Sequence, residues 1–121
     1  MSDLTNREFK PVVLKSPVGF EYYDYDEIIM FRANRNNSYV YLVSAEKPLL
    51  SLYSLLYIEK SILDKTDSFH RCHKSYIVNL MHVERLVLKD RLLCLANNMT
   101  APISESKLKE FIRISGAGRE K

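Results

Sequence analysis

The chain has 121 residues, 46% hydrophobic and 27% charged, with a formal net charge of +3. That length fits one domain, and a domain of this size hides roughly two-thirds of its unfolded surface, so it can fold without disulfides or metal. The composition is too apolar for disorder, no apolar run is long enough to span a membrane, and residues 1–7 lack the apolar core of a secretory signal.

Strand signals come first. Pro11 to Lys15 is a short β-rich run, closed by the turn-like Ser16-Pro17-Val18-Gly19 and followed by Phe20 to Tyr23. The acidic Asp24 to Glu27 introduces the apolar run Ile28 to Phe31. A polar loop, Asn34 to Ser38, then leads into the strand Tyr39 to Val43, and Leu49 to Tyr53 reads as another strand after Lys47-Pro48. Proline cannot donate to a sheet ladder, which confines Pro11, Pro17 and Pro48 to strand starts or turns.

From Ser54 to Asp64 the period changes. Leu55, Ile58, Ile62 and Leu63 fall on one helical face, with Ser54 as N-cap. Strands resume at Ser75–Leu80, Val83–Leu88 and Leu92–Ala96, the last two joined by a Lys89-Asp90-Arg91 turn. After Pro102, Ser104 is placed to cap a short terminal helix carrying Leu108, Phe111 and Ile112 inward. The reading is a mainly β domain over residues 10–114, with eight to ten short strands and one clear helix. Residues 1–9 and 115–121 are expected to be flexible.

Charge follows this order unevenly. The first thirty residues carry three basic and six acidic side chains, whereas residues 71–91 carry five basic and two acidic. Such polarity suits a protein that presents one face to a polyanion.

Enzymatic readings find little support. Three glycines, two of them near the C-terminus, leave no glycine-rich phosphate cradle, and there is no Gly-x-Ser-x-Gly elbow. His70, Cys72 and His73, with His82 and Cys94 further on, invite a metal reading. Strand alternation, however, would point His70 and His73 to opposite faces, and Cys94 has no near partner. The same alternation separates Cys72 from any base, so no metal, cofactor or catalytic role is expected. Without a signal sequence, the two cysteines read as buried or free thiols in the cytoplasm.

The same stretch reads better as a docking surface. Arg71, His73, Lys74 and Ser75 bring cationic groups and small donors together, the types that fix register on phosphates. Asn36, Asn37 and Ser38 form one polar loop able to reach base edges. Ser104, Glu105, Ser106 and Lys107 form a second.

Phe69-His70-Arg71-Cys72-His73-Lys74-Ser75-Tyr76-Ile77-Val78-Asn79 resembles the signature of the LytTR domain, the DNA-binding output domain of many bacterial response regulators. Asp26 to Phe31, the Ala33 to Val40 element, Ser54-Leu55 and Pro102-Ile103-Ser104 are similar to further elements of that family, so the resemblance runs over about residues 10–114. It implies an elongated fold of about ten short, mostly antiparallel strands in three small sheets. One helix near residues 54–64 and a short C-terminal helix complete it.

The resemblance also implies that loops enter successive major grooves of double-stranded DNA. The base-reading loop carries over to Asn37 and Ser38, the signature contacts to Arg71, His73, Lys74 and Ser75, and the third region to Ser104, Glu105, Ser106 and Lys107. The family commonly has Ser-Arg-Ser where this chain has Ser104-Glu105-Ser106. Arginine reads guanine, whereas glutamate accepts from cytosine N4, so either this position prefers a cytosine or Glu105 faces away and Lys107 takes over. The implied partners are DNA, a second protomer on an adjacent direct-repeat site, and a receiver domain or sensor kinase pathway. No acidic receiver precedes residue 10, so the chain reads as an excised output domain or a free-standing regulator. A non-catalytic protein-interaction or sensory β module, binding a partner by a sheet edge, is the alternative.

Overall fold

A computed structural model describes residues 11–116; the expected flexible segment 1–9, and residues 117–121 of the expected flexible tail 115–121, lie outside the described residues. Strands β1 (Val12–Ser16) and β2 (Gly19–Tyr23) form an antiparallel hairpin. Its turn ends at Gly19, whose φ of 146° is backbone that L side chains rarely adopt.

The central sheet has five strands, β3 (Ile28–Asn34), β4 (Asn37–Leu42), β5 (Leu49–Ser51), β6 (Phe69–His73) and β7 (Tyr76–Asn79), in the order β5-β4-β3-β7-β6. A third sheet contains β8 (Val83–Val87), β9 (Leu92–Leu95) and β10 (Thr100–Pro102), in the order β10-β9-β8. Every pairing is antiparallel.

The central sheet separates two hydrophobic cores. Ile77 and Val78 are neighbours on β7 and so point to opposite faces. Ile77 joins Val12 and Leu14 of the hairpin with Phe31, Val40, Ile58 and Leu63. Val78 joins Met30, Leu93, Leu95, Ala101 and Phe111 on the other side. Because both faces are covered, Ile28, Ile29, Met30 and Phe31 are all buried and do not alternate.

The expected helix at 54–64 is present, but it is not wound uniformly. Helix α1 (Leu55–Tyr57) begins where the Ser54 hydroxyl accepts the Tyr57 N–H at 3.1 Å. It then widens into a π turn, Ile58–Ile62, closed by the Leu63 N–H donating to the Ile58 carbonyl at 2.9 Å. The wider turn brings Ile58 and Leu63, five residues apart, into one core.

Helix α2 (Glu105–Ser115) buries Phe111 and ends on Gly116 at φ 81°, so Ser115 and Gly116 belong to the helix and its C-cap and not to a tail. Ser104 occupies the N-cap position, yet its hydroxyl makes no capping bond and lies 3.4 Å from the Ser106 hydroxyl.

Asn79 is fully buried and binds four groups. Its Nδ2 donates to the carbonyls of Tyr25 (2.9 Å) and Ile28 (2.8 Å), while its Oδ1 accepts from the Ser68 hydroxyl (2.6 Å) and the Met81 N–H (3.2 Å). It thereby ties β7 to the turn that leads into β3.

Candidate nucleic-acid interface

Sheet register brings two hairpin tips to the same end of the molecule. Asn34 pairs with Asn37, so the β3–β4 turn is Arg35-Asn36, and Arg32 pairs with Tyr76, which sets the Lys74-Ser75 turn beside it. The Ala33 N–H donates to the Ser75 carbonyl at 2.8 Å, extending the ladder to the tips. The start of α2 joins them, because the Ser104 N–H donates to the Cys72 carbonyl on β6 at 2.9 Å. Three segments far apart in sequence therefore meet at one end of the central sheet.

Individual side chains fall less simply. The polar loop 34–38 is a two-residue turn, so Asn37 and Ser38 are already strand. Ser38 is fully buried, and its hydroxyl donates to the Tyr53 carbonyl at 3.0 Å, fastening β4 to the segment before α1. Asn37 is half-buried on the opposite face. The exposed tip consists of Arg35 and Asn36, with Arg35 at φ 58°. Sequence reasoning missed Arg35. The signal lay in alternation running through Ser38, which leaves only two residues for the turn.

Arg71 is directed inward. Its Nη1 donates to Glu59 Oε1 at 2.6 Å, its Nη2 to the Lys74 carbonyl at 2.6 Å and its Nε to the His73 carbonyl at 3.2 Å. The guanidinium thus braces the β6–β7 turn and leaves Lys74 as its exposed cation. His73 Nδ1 accepts the Ser75 N–H at 3.1 Å, so Nε2 carries the ring proton and is free to donate. Ser75 is half-buried.

Strand alternation does not hold through β6. A register shift between His70 and His73 lets His70 pair with Val78 and His73 with Tyr76, which puts both histidines on one face of the sheet, not on opposite faces. Among the described residues no group of three His, Cys, Asp or Glu side chains is placed to hold a metal ion. Cys72 is buried, donates to the Pro102 carbonyl at 3.3 Å, and burial pushes its thiol up to about 12, so thiolate chemistry at neutral pH is closed to it. Cys94, read from the sequence as a buried or free thiol, is half-buried.

At the third segment Glu105 and Ser106 are exposed, while Ser104 and Lys107 are half-buried.

A family model described as the LytTr DNA-binding domain matches residues 19–115. The chain belongs to the LytTR DNA-binding domain family. Among solved structures, the chain resembles the LytTr DNA-binding domain of a Bacillus cereus protein described as a methyl-accepting/DNA response regulator. The two share 29% identity and a TM-score of 0.71, over 89% of this chain and 98% of that one. None of the curated proteins compared matches the chain.

The ten strands in three sheets are thus the LytTR fold, and this LytTR domain is a DNA-binding, transcription-regulating unit. Strand β1 precedes the matched span, yet it gives Val12 and Leu14 to the core. Among the described residues no helix is long and apolar enough to cross a membrane.

Proposed function

We propose that this LytTR domain is a cytoplasmic, non-catalytic regulator that binds double-stranded DNA at specific sequences, with its loops in successive major grooves. One observation carries the reading: the Arg35-Asn36 tip, the Lys74-Ser75 turn and the start of α2 are hydrogen-bonded into one end of a sheet. Lys74, Ser75 and the Nε2–H of His73 supply donors for phosphates. Arg35, Asn36 and Asn37 supply groups for base edges at one groove. Ser104, Glu105, Ser106 and Lys107 do so at the next, with Glu105 accepting from cytosine N4. Ser38 and Arg71 act from inside, by fixing the tips. Two protomers occupy direct repeats about one helical turn apart, which puts them on the same DNA face. A receiver domain or sensor kinase pathway controls their occupancy.

Selection of preferred sites from random duplexes, run with wild type and Glu105→Arg, tests this reading. The expected result is one enriched motif for each protein, differing at a cytosine. Identical motifs would remove Glu105 from base reading. A wild type that enriches nothing, with affinity independent of salt, would overturn the whole reading in favour of a protein-binding module.

A further inference from the structure

Behind the tips, one face of the central sheet carries a cation set among tyrosines. Arg32 is two residues from the β3–β4 turn, paired with Tyr39 on one side and Tyr76 on the other. Cross-strand pairs share a face, so Arg32, Tyr39 and Tyr76 line the same side as Asn37 and His73. The guanidinium carbon lies 5.3 Å from the centroid of the Tyr39 ring and 6.0 Å from that of Tyr41, and Nε donates to the Tyr41 hydroxyl at 2.9 Å. This hydrogen bond is the leading cause of a pKa raised above the ordinary arginine value.

What the guanidinium lacks is equally informative. Among the described residues Arg32 has no carboxylate within ion-pair distance, and Nη1 and Nη2 have no hydrogen-bond acceptor. Among the described residues the one buried side-chain nitrogen or oxygen without a partner is His70 Nε2, so the Nη atoms of Arg32 reach solvent. Arg71 is the opposite case, with all three of its nitrogens engaged. An arginine fixed through Nε and by ring contact presents its remaining fork already ordered, which suits a phosphate's two oxygens at little entropic cost.

We propose that Arg32, held by Tyr41 and Tyr39, is a docking site for one backbone phosphodiester of bound duplex DNA, flanking the groove that the β3–β4 tip enters. The inference rests on the DNA-binding reading and adds to it a contact from the sheet face behind the loops. The site is independent of base identity, so it strengthens binding to every sequence alike and anchors the tip beside it.

Equilibrium binding of the full chain to a 30-bp random duplex, across a salt series, tests the site. Arg32→Gln is expected to weaken binding several-fold and to flatten the slope of log affinity against log salt by about 0.9, the loss of one phosphate contact. Arg32→Lys is expected to keep the slope. On wild type, saturating duplex is expected to protect Arg32 from phenylglyoxal, located by peptide mass spectrometry, so the result does not depend on how well a variant folds. Unchanged affinity and slope in Arg32→Gln, or Arg32 modified equally fast with and without duplex, would overturn the site while leaving the DNA-binding reading intact. A wild type without salt-dependent binding would instead overturn that reading, and this site with it.

Discussion

The Glu59 carboxylate on the π turn lies 2.6 Å from Nη1 of Arg71, and the same guanidinium holds the carbonyls of His73 and Lys74. The two partners are 32% and 20% exposed, so water screens the pair only in part. The π turn and the β6–β7 tip therefore behave as one unit, joined through a single arginine.

That coupling gives Glu59→Gln a diagnostic sign. Removing a negative charge from a DNA-binding protein should, on charge alone, tighten binding. Here it releases Arg71 and loosens the turn that carries Lys74, so specific affinity is expected to fall by several-fold while the salt slope stays constant. Fluorescence anisotropy with a selected duplex at two or more salt concentrations measures both. Tighter binding would show that the turn keeps its shape without Glu59.

Arg35→Gly separates folding from recognition at one position. A left-handed φ of 58° costs an L side chain about 1 kcal/mol or more, which glycine avoids, although glycine gives the unfolded chain more freedom. Stability in urea is expected to change by less than about 1 kcal/mol. DNA affinity is expected to drop, because the exposed side chain at the tip is gone. A parallel loss of both would mean that Arg35 contributes to packing.

Asn79→Ala removes a buried side chain with four hydrogen-bond partners, taking one donor from each of the Tyr25 and Ile28 carbonyls and the shared acceptor from the Ser68 hydroxyl and the Met81 N–H. A loss of about 3 kcal/mol is expected in chemical denaturation. A loss below about 1 kcal/mol would mean that water replaces the amide without cost.

Burial lowers the His70 pKa below its ordinary 6.5, partly offset by Glu110 and Glu59 and reinforced by Lys107, the charged groups that face it from α2 and the π turn. Its Nε2 is buried without a partner. The unfolded imidazole thus binds protons at a pH where the folded one does not. The stability contributed is complete above about pH 6.5 and is lost as pH falls toward the lower folded value. His70→Phe is expected to flatten the pH dependence of Tm between about pH 7 and pH 5. Parallel profiles for variant and wild type would assign the acid sensitivity to other groups.

Much of the architecture was legible in the residues. The alternation of Tyr39 to Val43, the Pro17-Val18 turn and the Ser54 cap all announce their elements, because each is decided by neighbours in sequence. The signature at 69–79 located the β6–β7 hairpin. What escaped depends on tertiary context. Ser38 looks like a loop hydroxyl until the turn is known to have two residues and its partner, Tyr53, is fifteen positions away. Arg71 looks like a phosphate ligand until Glu59 comes into reach. The bulge that reunites His70 and His73 follows from pairing with β7, and no local pattern reports it.

A strand gripped on both sides has little freedom to bend. Because β3 and β7 are clamped between the two cores, their tips project like teeth from a stiff comb, and a duplex must conform to them. Free and DNA-bound forms of the protein should then share nearly one backbone, with the distortion falling on the nucleic acid. Base sequences that kink easily would gain preference even at positions no side chain touches.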